Sequence, residues 1–361
     1  MVTLVAGRRE HFEMSATASV ALERGVGFIL AKQGRDGLWR DFLTPAGEAS
    51  EWPTGFIGTA LCTAGVEAST LERVTLTLIA NQHADGGWGY NENVPSDADS
   101  TACVLLFLAL MGQRGDTCSR AASCLVSHQN ENGGVATYRE SGPIRRFMGV
   151  GWWMRFGGWC SPHIEVTATT ARALAVLDRN TYSPQIDAMW SYLRSRQSSD
   201  GSWSSYWWNS PHYATLQAVE LASLLGDHRA LSQAAEWAIS TQAPDGGWST
   251  PAAGTSAFAT ALCLQLLANA KASGQCIHNA VCRLAALQDE DGSWPSYPIM
   301  RIPLPGDRDP DGTRRWRFHG GIVVPDQHRT FTSAACVAAL ACARDVTSYQ
   351  PKSVLLEDMT V

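Results

Sequence analysis

The sequence lacks long apolar runs and has little excess charge. Its longest uninterrupted apolar stretch, residues 102–111, is too short to span a bilayer and fits a buried helix better. The first residues include Arg8, Arg9, Glu10 and Glu13 and lack the apolar centre of a signal peptide. We therefore expect a cytoplasmic protein without a membrane span. A net charge of −6 argues against nucleic acid as a partner, because phosphate backbones attract basic surfaces.

Metal-binding patterns are also missing. The ten cysteines show no metal-like clustering, and most lie in apolar segments, as Cys103, Cys263 and Cys336 do. Such residues are typical of small buried hydrophobes in a reducing compartment. No Asp-Asp-x-x-Asp motif occurs, which argues against metal-driven ionisation of a diphosphate. The sequence therefore predicts no metal site and no cofactor.

What the sequence has instead is one pattern repeated six times: Gln, three residues, Gly, one residue and Trp. Only the third copy lacks the Trp and has Val135 in its place. The copies lie 45 to 49 residues apart, except for a gap of 68 residues between the third and the fourth. They begin at Gln33, Gln82, Gln129, Gln197, Gln242 and Gln288. Self-similarity at a nearly fixed period indicates a repeat architecture.

Each copy is typical of the end of a helix. An amphipathic run precedes it, and its Gly accepts the positive φ of a turn. A second run follows that is small and apolar nearly all round, as expected of a buried helix. The pattern predicts an all-α fold, an (α/α)6 barrel of six helix pairs with amphipathic outer helices around apolar inner ones. The inner helices are expected to begin near Thr54, Asp97, Glu165, Pro211, Thr255 and Thr330.

The repeats run through nearly the whole sequence, so we expect a single domain, residues 1–361. Two segments break the pattern. The long third gap holds an insert, about 139–162, and residues 301–317 after the last repeat are rich in Arg and Asp. Both are expected to be loops at the mouth of the barrel. A tail, about 344–361, follows the last predicted helix.

These motifs together resemble a known family. The repeat resembles the QW motif of triterpene cyclases over essentially the whole chain. Residues 96–102, Ser-Asp-Ala-Asp-Ser-Thr-Ala, are similar to the Asp-x-Asp-Asp-Thr-Ala acid motif of class II terpene cyclases. Residues 165–169, Glu-Val-Thr-Ala-Thr, resemble their Asp-Val-Thr-Ala-His segment, and residues 201–203 with Trp207 and Tyr213 resemble a Gly-Ser-Trp…Trp…Tyr stretch. Squalene–hopene cyclases carry two helical barrels, whereas this chain has length for one and resembles the single-domain bacterial cyclases of meroterpenoid pathways.

The resemblance implies an enzyme that protonates a terminal alkene or epoxide of a linear isoprenoid and so starts a carbocation cascade. Such an enzyme needs a carboxylic acid that is protonated at rest, and a second carboxylate nearby makes it costly to ionise both. The middle Asp of the family motif is the donor, which corresponds to Asp99, with Asp97 as its electrostatic partner. Alternatively Asp97 only caps the inner helix, because Ser-Asp before an apolar run is also an N-cap pattern.

Aromatic faces can stabilise the migrating cation without reacting with it. By their family positions, Tyr90, Tyr138 and Trp207 are expected to line the substrate cavity. Tyr213 and Phe258 are further candidates, and Tyr213 is also expected to belong to the catalytic group. Core packing is the alternative for each of them. The Trp residues of the repeats themselves are expected to brace helix ends.

The sequence departs from its family at two positions of the acid site. Ser100 stands where alkene-protonating cyclases usually have Asp, and Thr169 stands where they have a His that contacts the donor. A hydroxyl would replace that His, with Glu165, one turn earlier, as a further carboxylate. Oxidosqualene cyclases, which protonate the more basic epoxide, also carry one Asp followed by a small polar residue. Initiation at an alkene or at an epoxide both stay open, and the retained Asp97 favours the alkene.

The expected partner is a hydrophobic isoprenoid, and the meroterpenoid resemblance favours a prenylated aromatic. Arg145 and Arg146 of the insert could clamp the carboxylate or diphosphate of its head, or be solvated with their charges paired locally. The Trp-rich insert, with Trp152 and Trp153, could form a lid or touch a membrane surface. For the acids of residues 301–317 local pairing is expected. Mg²⁺ would take part only with a diphosphate substrate, and the oligomeric state stays open.

Three alternatives share the barrel. One is a class II cyclase of prenyl diphosphates. Another is a β-like subunit of a protein prenyltransferase, because Asp326-Gln327-His328 resembles part of its zinc site. Zinc would also need an Asp-x-Cys near an inner helix, and this pattern occurs only as Asp116-Thr117-Cys118 before an outer helix. A non-catalytic toroid that binds a ligand is the third, and it would leave Asp97 and Asp99 unexplained.

Overall fold

A computed structural model describes residues 2–272, 274–313 and 321–348, with side chains for 17–272, 274–312 and 321–344. Its helices are, in chain order, α1 (Val2–Ala31), α2 (Glu51–Thr63), α3 (Glu72–Ala80), α4 (Ala98–Leu110), α5 (Asp116–Ser127), α6 (Ser141–Phe147), α7 (Ile164–Asp178), α8 (Ser183–Arg194), α9 (His212–Leu225), α10 (His228–Thr241), α11 (Ala257–Asn269), α12 (Gln275–Leu287), α13 (Pro310–Thr313) and α14 (Thr330–Ser348), and a 3-10 turn, Ala68–Leu71, precedes α3. Within these residues no helix is both long and apolar enough to cross a bilayer.

Six helices form a closed inner ring. Each packs against the next in the order α2, α4, α7, α9, α11 and α14, and α14 returns to α2. Almost every residue of α4 and α11 is buried, as expected of helices that are apolar all round. The outer helices α1, α3, α5, α8, α10 and α12 precede the six repeats, and α10 and α12, for example, alternate buried with exposed positions. The predicted all-α barrel of six helix pairs is confirmed.

The repeats hold the helix pairs together. Trp88 is fully buried, and its indole Nε1 donates to the Leu78 carbonyl near the end of α3 at 2.8 Å. Its backbone N–H donates to Thr101 Oγ1 on α4 at 3.0 Å. Gln82 donates to the Thr117 carbonyl at the start of the next outer helix at 2.8 Å. The indole bond recurs in the other four copies that have a Trp, so these residues do brace helix ends.

The first Gly of the repeat is required by its surroundings as well as by its turn. Gly133 has φ of +87°, and a Cβ built there would lie 2.2 Å from the carbonyl oxygen of Ala188 on α8. A side chain would therefore strain the backbone and separate two outer helices.

The all-α pattern did not predict four short antiparallel ladders that lead into inner helices. The paired strands are β1 (Asp41–Thr44) with β2 (Gly47–Ala49), β3 (Val135–Ala136) with β4 (Pro162–His163), β5 (Trp248–Thr250) with β6 (Ala253–Ser256), and β7 (Met300–Ile302) with β8 (Ile322–Val324). In the β3·β4 ladder Val135 lies opposite His163, so the two ends of the insert are adjacent. Strands of two to four residues are too short to show a period of two in the sequence.

Candidate active site

A cavity of about 550 Å³ opens at the end of the barrel where the inner helices begin. Its lining comes from the first turns of α2 and α4, from the segments that lead into α9 and α14, and from the insert. The insert contributes Ile144, Phe147, Met148 and Trp159, and the segment before α14 contributes Met300 and residues 302–305. Most of the lining is apolar or aromatic. Asp97 and Asp99 are among the lining residues.

Asp99 lies in the first turn of α4. Its Oδ1 is buried and has no hydrogen-bond partner among the described residues. Burial raises the pKa of Asp99 well above its ordinary value of 3.8, and the nearby charges of Asp97 and Glu165 raise it further. The protonated form of the carboxyl group is therefore favoured. A protonated carboxyl group without a partner, at the wall of an apolar cavity, can donate its proton to a bound molecule.

Asp97 is the N-cap residue of α4. Its Oδ1 accepts a hydrogen bond from the Ser100 N–H at 2.8 Å, and its Oδ2 accepts one from the Ser100 hydroxyl at 2.7 Å. Burial raises the pKa of Asp97 to about 7, although both hydrogen bonds oppose the rise. Asp97 thus caps the helix and also lines the cavity beside Asp99. The Ser100 hydroxyl is directed to Asp97.

Glu165 is fully buried in the first turn of α7 and is not part of the cavity lining. Its Oε1 accepts hydrogen bonds from the backbone N–H groups of Tyr206 and Trp207, at 2.7 and 2.6 Å. Burial raises the pKa of Glu165, and these bonds and the charge of Arg301 oppose the rise. Glu165 therefore acts on Asp99 through its charge and fixes the backbone that carries Trp207.

Thr169 does not take the place of the family His beside the donor. Its hydroxyl donates to the Glu165 carbonyl at 2.9 Å and lies 3.3 Å from Gln217 Oε1. A Thr in a helix commonly bonds the carbonyl four residues earlier, which turns its hydroxyl away from the acid site. Thr169 instead lines a second cavity, of about 220 Å³, together with the ion pair of Arg172 and Glu220.

Tyr213 and Phe258 form a layer behind the cavity wall rather than the wall itself. The ring of Trp208, which does line the cavity, stacks on Tyr213 at a centroid distance of 4.2 Å and on Phe258 at 5.3 Å. Neither ring belongs to the cavity lining. The expectation that Tyr213 and Phe258 line this cavity is therefore wrong, because Trp208 covers both rings, and Tyr213 lines the second cavity instead.

An aromatic wall borders the cavity, and its neighbouring rings contact one another at centroid distances between 5.5 and 6.4 Å. We define it as Trp52, Tyr90, Tyr138, Trp159, Trp207 and Trp208. Tyr90, Tyr138 and Trp207 were expected there. Sequence reasoning missed the place of Trp52, Trp159 and Trp208 in the cavity lining. The available indications were weak: Trp52 precedes a predicted inner helix by two residues, and Trp208 adjoins Trp207.

Arg145 and Arg146 do not line the cavity. Arg145 donates to the carbonyls of Gly151 and Met154, both at 2.6 Å, and its guanidinium lies 4.8 Å from the centre of the Phe156 ring. Arg146 is exposed. The expected clamp on a substrate head is therefore wrong for this pair, because Arg145 satisfies carbonyl groups of the insert itself.

In the segment after the last repeat, an arginine forms an ion pair with an acid of the same segment. Arg301 is buried and forms an ion pair with Asp311 at 2.6 Å, as expected for the acids of this segment. It also donates to the carbonyls of Ser205 and Tyr206, next to Trp207. Outside the described residues lie Arg314, Arg315, Arg317 and the expected tail after residue 348.

Asp326 and His328, which suggested part of a zinc site, bind different partners. Asp326 accepts a hydrogen bond from the Thr332 N–H at 2.7 Å, whereas His328 pairs with Glu48 at 2.8 Å. Cys118 lies on the outer helix α5. Throughout the part of the chain that the structure covers, no three His, Cys, Asp or Glu side chains are grouped as metal ligands.

Solved structures of type II terpene cyclases are similar to this chain over most of its length. The cyclase MstE from Scytonema, in a variant bound to geranylgeranyl dihydroxybenzoate as substrate, has a TM-score of 0.83 and 29% identity, covering 93% of this chain and 99% of that one. Another variant, bound to merosterolic acid A as product, gives a TM-score of 0.83 and 30% identity with the same coverage.

Curated relatives match over shorter parts of their own length. The squalene–hopene cyclase of Zymomonas mobilis is 25% identical over 234 residues, which cover 58% of this chain and 36% of that protein. A drimenyl diphosphate synthase of Streptomyces showdoensis is 29% identical over 243 residues, 63% of this chain and 42% of that protein. The chain thus spans less than half the length of these relatives.

Two family descriptions match the sequence. The prenyltransferase alpha-alpha toroid domain matches residues 15–136. The squalene–hopene cyclase C-terminal domain matches residues 80–305, which include the acid motif, the insert and five of the six repeats. The resemblance read from the repeats and the acid motif is confirmed, and the chain belongs to the squalene–hopene cyclase family of class II terpene cyclases.

Proposed function

We propose that this chain is an enzyme, a class II terpene cyclase in which Asp99 protonates the terminal alkene of a linear isoprenoid. The observation that carries the proposal is the state of Asp99: a cavity-lining carboxyl group with a buried, unpartnered Oδ1 and a raised pKa, bordered by aromatic rings. An alkene is a weak base, so it needs a donor that holds its proton in an apolar place until the substrate arrives.

In the proposed reaction the terminal alkene carbon takes the proton of Asp99, and a cation forms at the neighbouring substituted carbon. Successive double bonds attack the cation and close rings while the charge moves along the chain. Loss of a proton from the last cation restores neutrality, so substrate and product are isomers. The ring faces of the aromatic wall stabilise the cation by roughly 0.5–2 kcal/mol per desolvated ring without forming a bond to it.

A prenylated aromatic is the substrate class that we propose. This chain covers 99% of the length of MstE, a cyclase whose structure contains geranylgeranyl dihydroxybenzoate. The test is to incubate the protein with prenylated arenes of increasing chain length and with linear prenyl diphosphates, and to identify isomeric cyclic products by mass spectrometry and NMR. Asp99→Asn is the matched control. Absence of cyclised product from every substrate would contradict the proposal.

A prenyl diphosphate is the second candidate, because a drimenyl diphosphate synthase is among the relatives. Proton-initiated cyclisation of an uncharged or carboxylated arene needs no cofactor, whereas Mg²⁺ would assist with a diphosphate head by neutralising its charge. Turnover of a diphosphate that rises with Mg²⁺, together with no turnover of arenes, would favour this candidate.

We further propose a cytoplasmic enzyme that contacts a membrane surface through the insert. Trp152 and Trp153 are 86% and 72% exposed, next to the exposed Arg155. Adjacent exposed Trp and Arg side chains are typical of a membrane interface that contains anionic lipid. The double variant Trp152→Ser/Trp153→Ser should sediment less with anionic vesicles than the wild type. Leu76→Ser, at an exposed outer-helix position, is the control; equal sedimentation of both variants would contradict the proposal.

A further inference from the structure

A series of hydrogen bonds connects the aromatic wall to the insert. The indole Nε1 of Trp207 donates to Thr137 Oγ1 at 2.8 Å. Thr137 Oγ1 lies 2.8 Å from His163 Nδ1, and His163 Nε2 lies 3.0 Å from the Gly158 carbonyl. Thr137 and His163 are both buried. We call these two residues the indole clasp.

The direction of every bond in this series follows from its last member. The Gly158 carbonyl can only accept, and the Ser161 hydroxyl, 3.3 Å from Nε2, donates to that same carbonyl at 2.6 Å. His163 Nε2 therefore carries the hydrogen and His163 Nδ1 is the acceptor. Thr137 must then donate its hydroxyl hydrogen to Nδ1, which leaves Thr137 Oγ1 to accept from the Trp207 indole. Burial lowers the pKa of His163 to about 3, which keeps the ring in the neutral form that this arrangement requires.

The indole clasp also contacts α4, the helix that carries Asp99. The Thr137 carbonyl accepts a hydrogen bond from the N–H of Ala98, the first residue of α4, at 2.9 Å. Glu165, which follows His163 by two residues, accepts a hydrogen bond from the backbone N–H of Trp207. One connected set of contacts therefore fixes the main chain and the side chain of Trp207 relative to the start of α4.

We propose that Thr137 and His163 are positioning residues that set the plane of the Trp207 indole and thereby determine where the cation cascade stops. The inference rests on the proposed cyclase function. Attraction between a cation and a ring depends on the face of the ring being turned to the charge. Without the clasp the Trp207 indole could rotate, and the cation intermediate closest to it would lose its stabilisation and be deprotonated early.

The test compares two substitutions at one position. Thr137→Val keeps the shape of the side chain but removes the hydroxyl, whereas Thr137→Ser keeps the hydroxyl. In Thr137→Val we expect a shift toward products with fewer rings and a fall of about tenfold in kcat, with KM within about twofold of the wild type. Thr137→Ser should restore the product ratio and kcat. A role in packing alone would be served better by Val than by Ser.

A second readout does not depend on turnover. In protein labelled with ¹⁵N at Trp, the Trp207 indole N–H resonance can be assigned by its loss in Trp207→Phe. It should move upfield in Thr137→Val and stay near its wild-type position in Thr137→Ser. His163→Asn, which keeps an acceptor near Nδ1 but cannot reach Gly158, should give an intermediate shift and serves where Thr137→Val does not fold.

The outcomes separate the two proposals. A wild-type product ratio in Thr137→Val, or an indole resonance that does not respond to loss of the hydroxyl, would overturn the inference while leaving the cyclase function intact. A wild type that cyclises no isoprenoid would overturn the proposed function and with it the effect on products, even if the resonance moved as expected.

Discussion

Replacing Asp99 with asparagine should stabilise the folded protein at neutral pH while it abolishes turnover. The substitution preserves the size and shape of the side chain and removes the acidic proton. If Asp99 is the general acid, turnover should fall by about 10²–10⁴-fold or more. The effect on stability is the more discriminating result, because it reports whether Asp99 holds a proton in the resting protein.

The sign follows from proton linkage. The pKa of Asp99 is raised in the folded protein above its ordinary value of 3.8. Between these two pKa values the folded state holds a proton at Asp99 that the unfolded state has lost. Over that range the free energy of unfolding of the wild type falls by about 1.4 kcal/mol per pH unit for one such proton. Asn cannot ionise, so Asp99→Asn should escape this loss and become progressively more stable than the wild type as the pH rises.

The assay is urea denaturation of both proteins from about pH 4 to pH 7.5, followed by circular dichroism, with the difference in unfolding free energy plotted against pH. A constant offset would reflect hydrogen bonding of the new amide, so the slope is the quantity of interest. Asp178→Asn is the control. A hydrogen bond from the Thr181 hydroxyl, at 2.7 Å, lowers the pKa of Asp178 below its ordinary value of 3.8. This carboxylate is therefore already ionised in the folded protein over the range, and the stability that Asp178→Asn loses should stay nearly constant from about pH 5 upward.

A difference between wild type and Asp99→Asn that stays constant with pH would refute the reasoning. It would mean that Asp99 ionises in the folded protein much as it does in the unfolded one. The carboxyl group would then have no proton to give near neutral pH, and the initiating acid would have to be sought elsewhere in the cavity.

Three further predictions concern the metal, the second carboxylate and the repeat. Cyclisation of a prenylated aromatic should continue in excess EDTA; activity that disappears and returns with Mg²⁺ would contradict this and favour a diphosphate substrate. Asp97→Asn should reduce turnover of a terminal alkene more than that of the matched epoxide, and a wild type that converts only the epoxide would disprove alkene initiation. Gly133→Ala should lower the urea midpoint more than Gly226→Ala, because both glycines have positive φ but only Gly133 meets a neighbouring backbone; equal losses would rule out the close approach.

The barrel could be predicted from the sequence because its determinants are local and repeated. A helix as apolar as residues 102–111 is stable only when it is buried inside the protein. A Gly with positive φ ends the outer helix that precedes this run. Six copies at a similar spacing then leave few arrangements other than a ring. The place of Asp99 in the first turn of an inner helix was predictable for the same reason, whereas its role as donor was inferred from the resemblance of residues 96–102 to the family's acid motif.

The composition of the cavity wall could not be predicted in this way. Whether Trp208 or Tyr213 meets the substrate depends on which ring covers the other, and the two lie close together in the sequence, Trp208 just before α9 and Tyr213 in its first turn. The hydroxyl of Thr169 was assigned to the acid because of its place in a family motif, yet a carbonyl of its own helix satisfies it. Arg145 was assigned to the substrate, and carbonyl groups of the insert take up its donors. Which ring covers another, and which acceptor a donor finds, depends on how the folded segments pack, and this cannot be read from the sequence.

The two roles of Asp97, as the cap of α4 and as the electrostatic partner of Asp99, have the same effect on Asp99. A helix N-terminus favours ionised carboxylates through its free N–H groups and its dipole. A carboxyl group in the first turn would therefore ordinarily have a lower pKa and lose its proton more readily. Asp97 occupies the Ser100 N–H and also takes the Ser100 hydroxyl. Oδ1 of Asp99 is left without a donor. Capping by Asp97 thus removes the hydrogen bonds that would stabilise the Asp99 carboxylate, while the charge of Asp97 opposes ionisation of the same group.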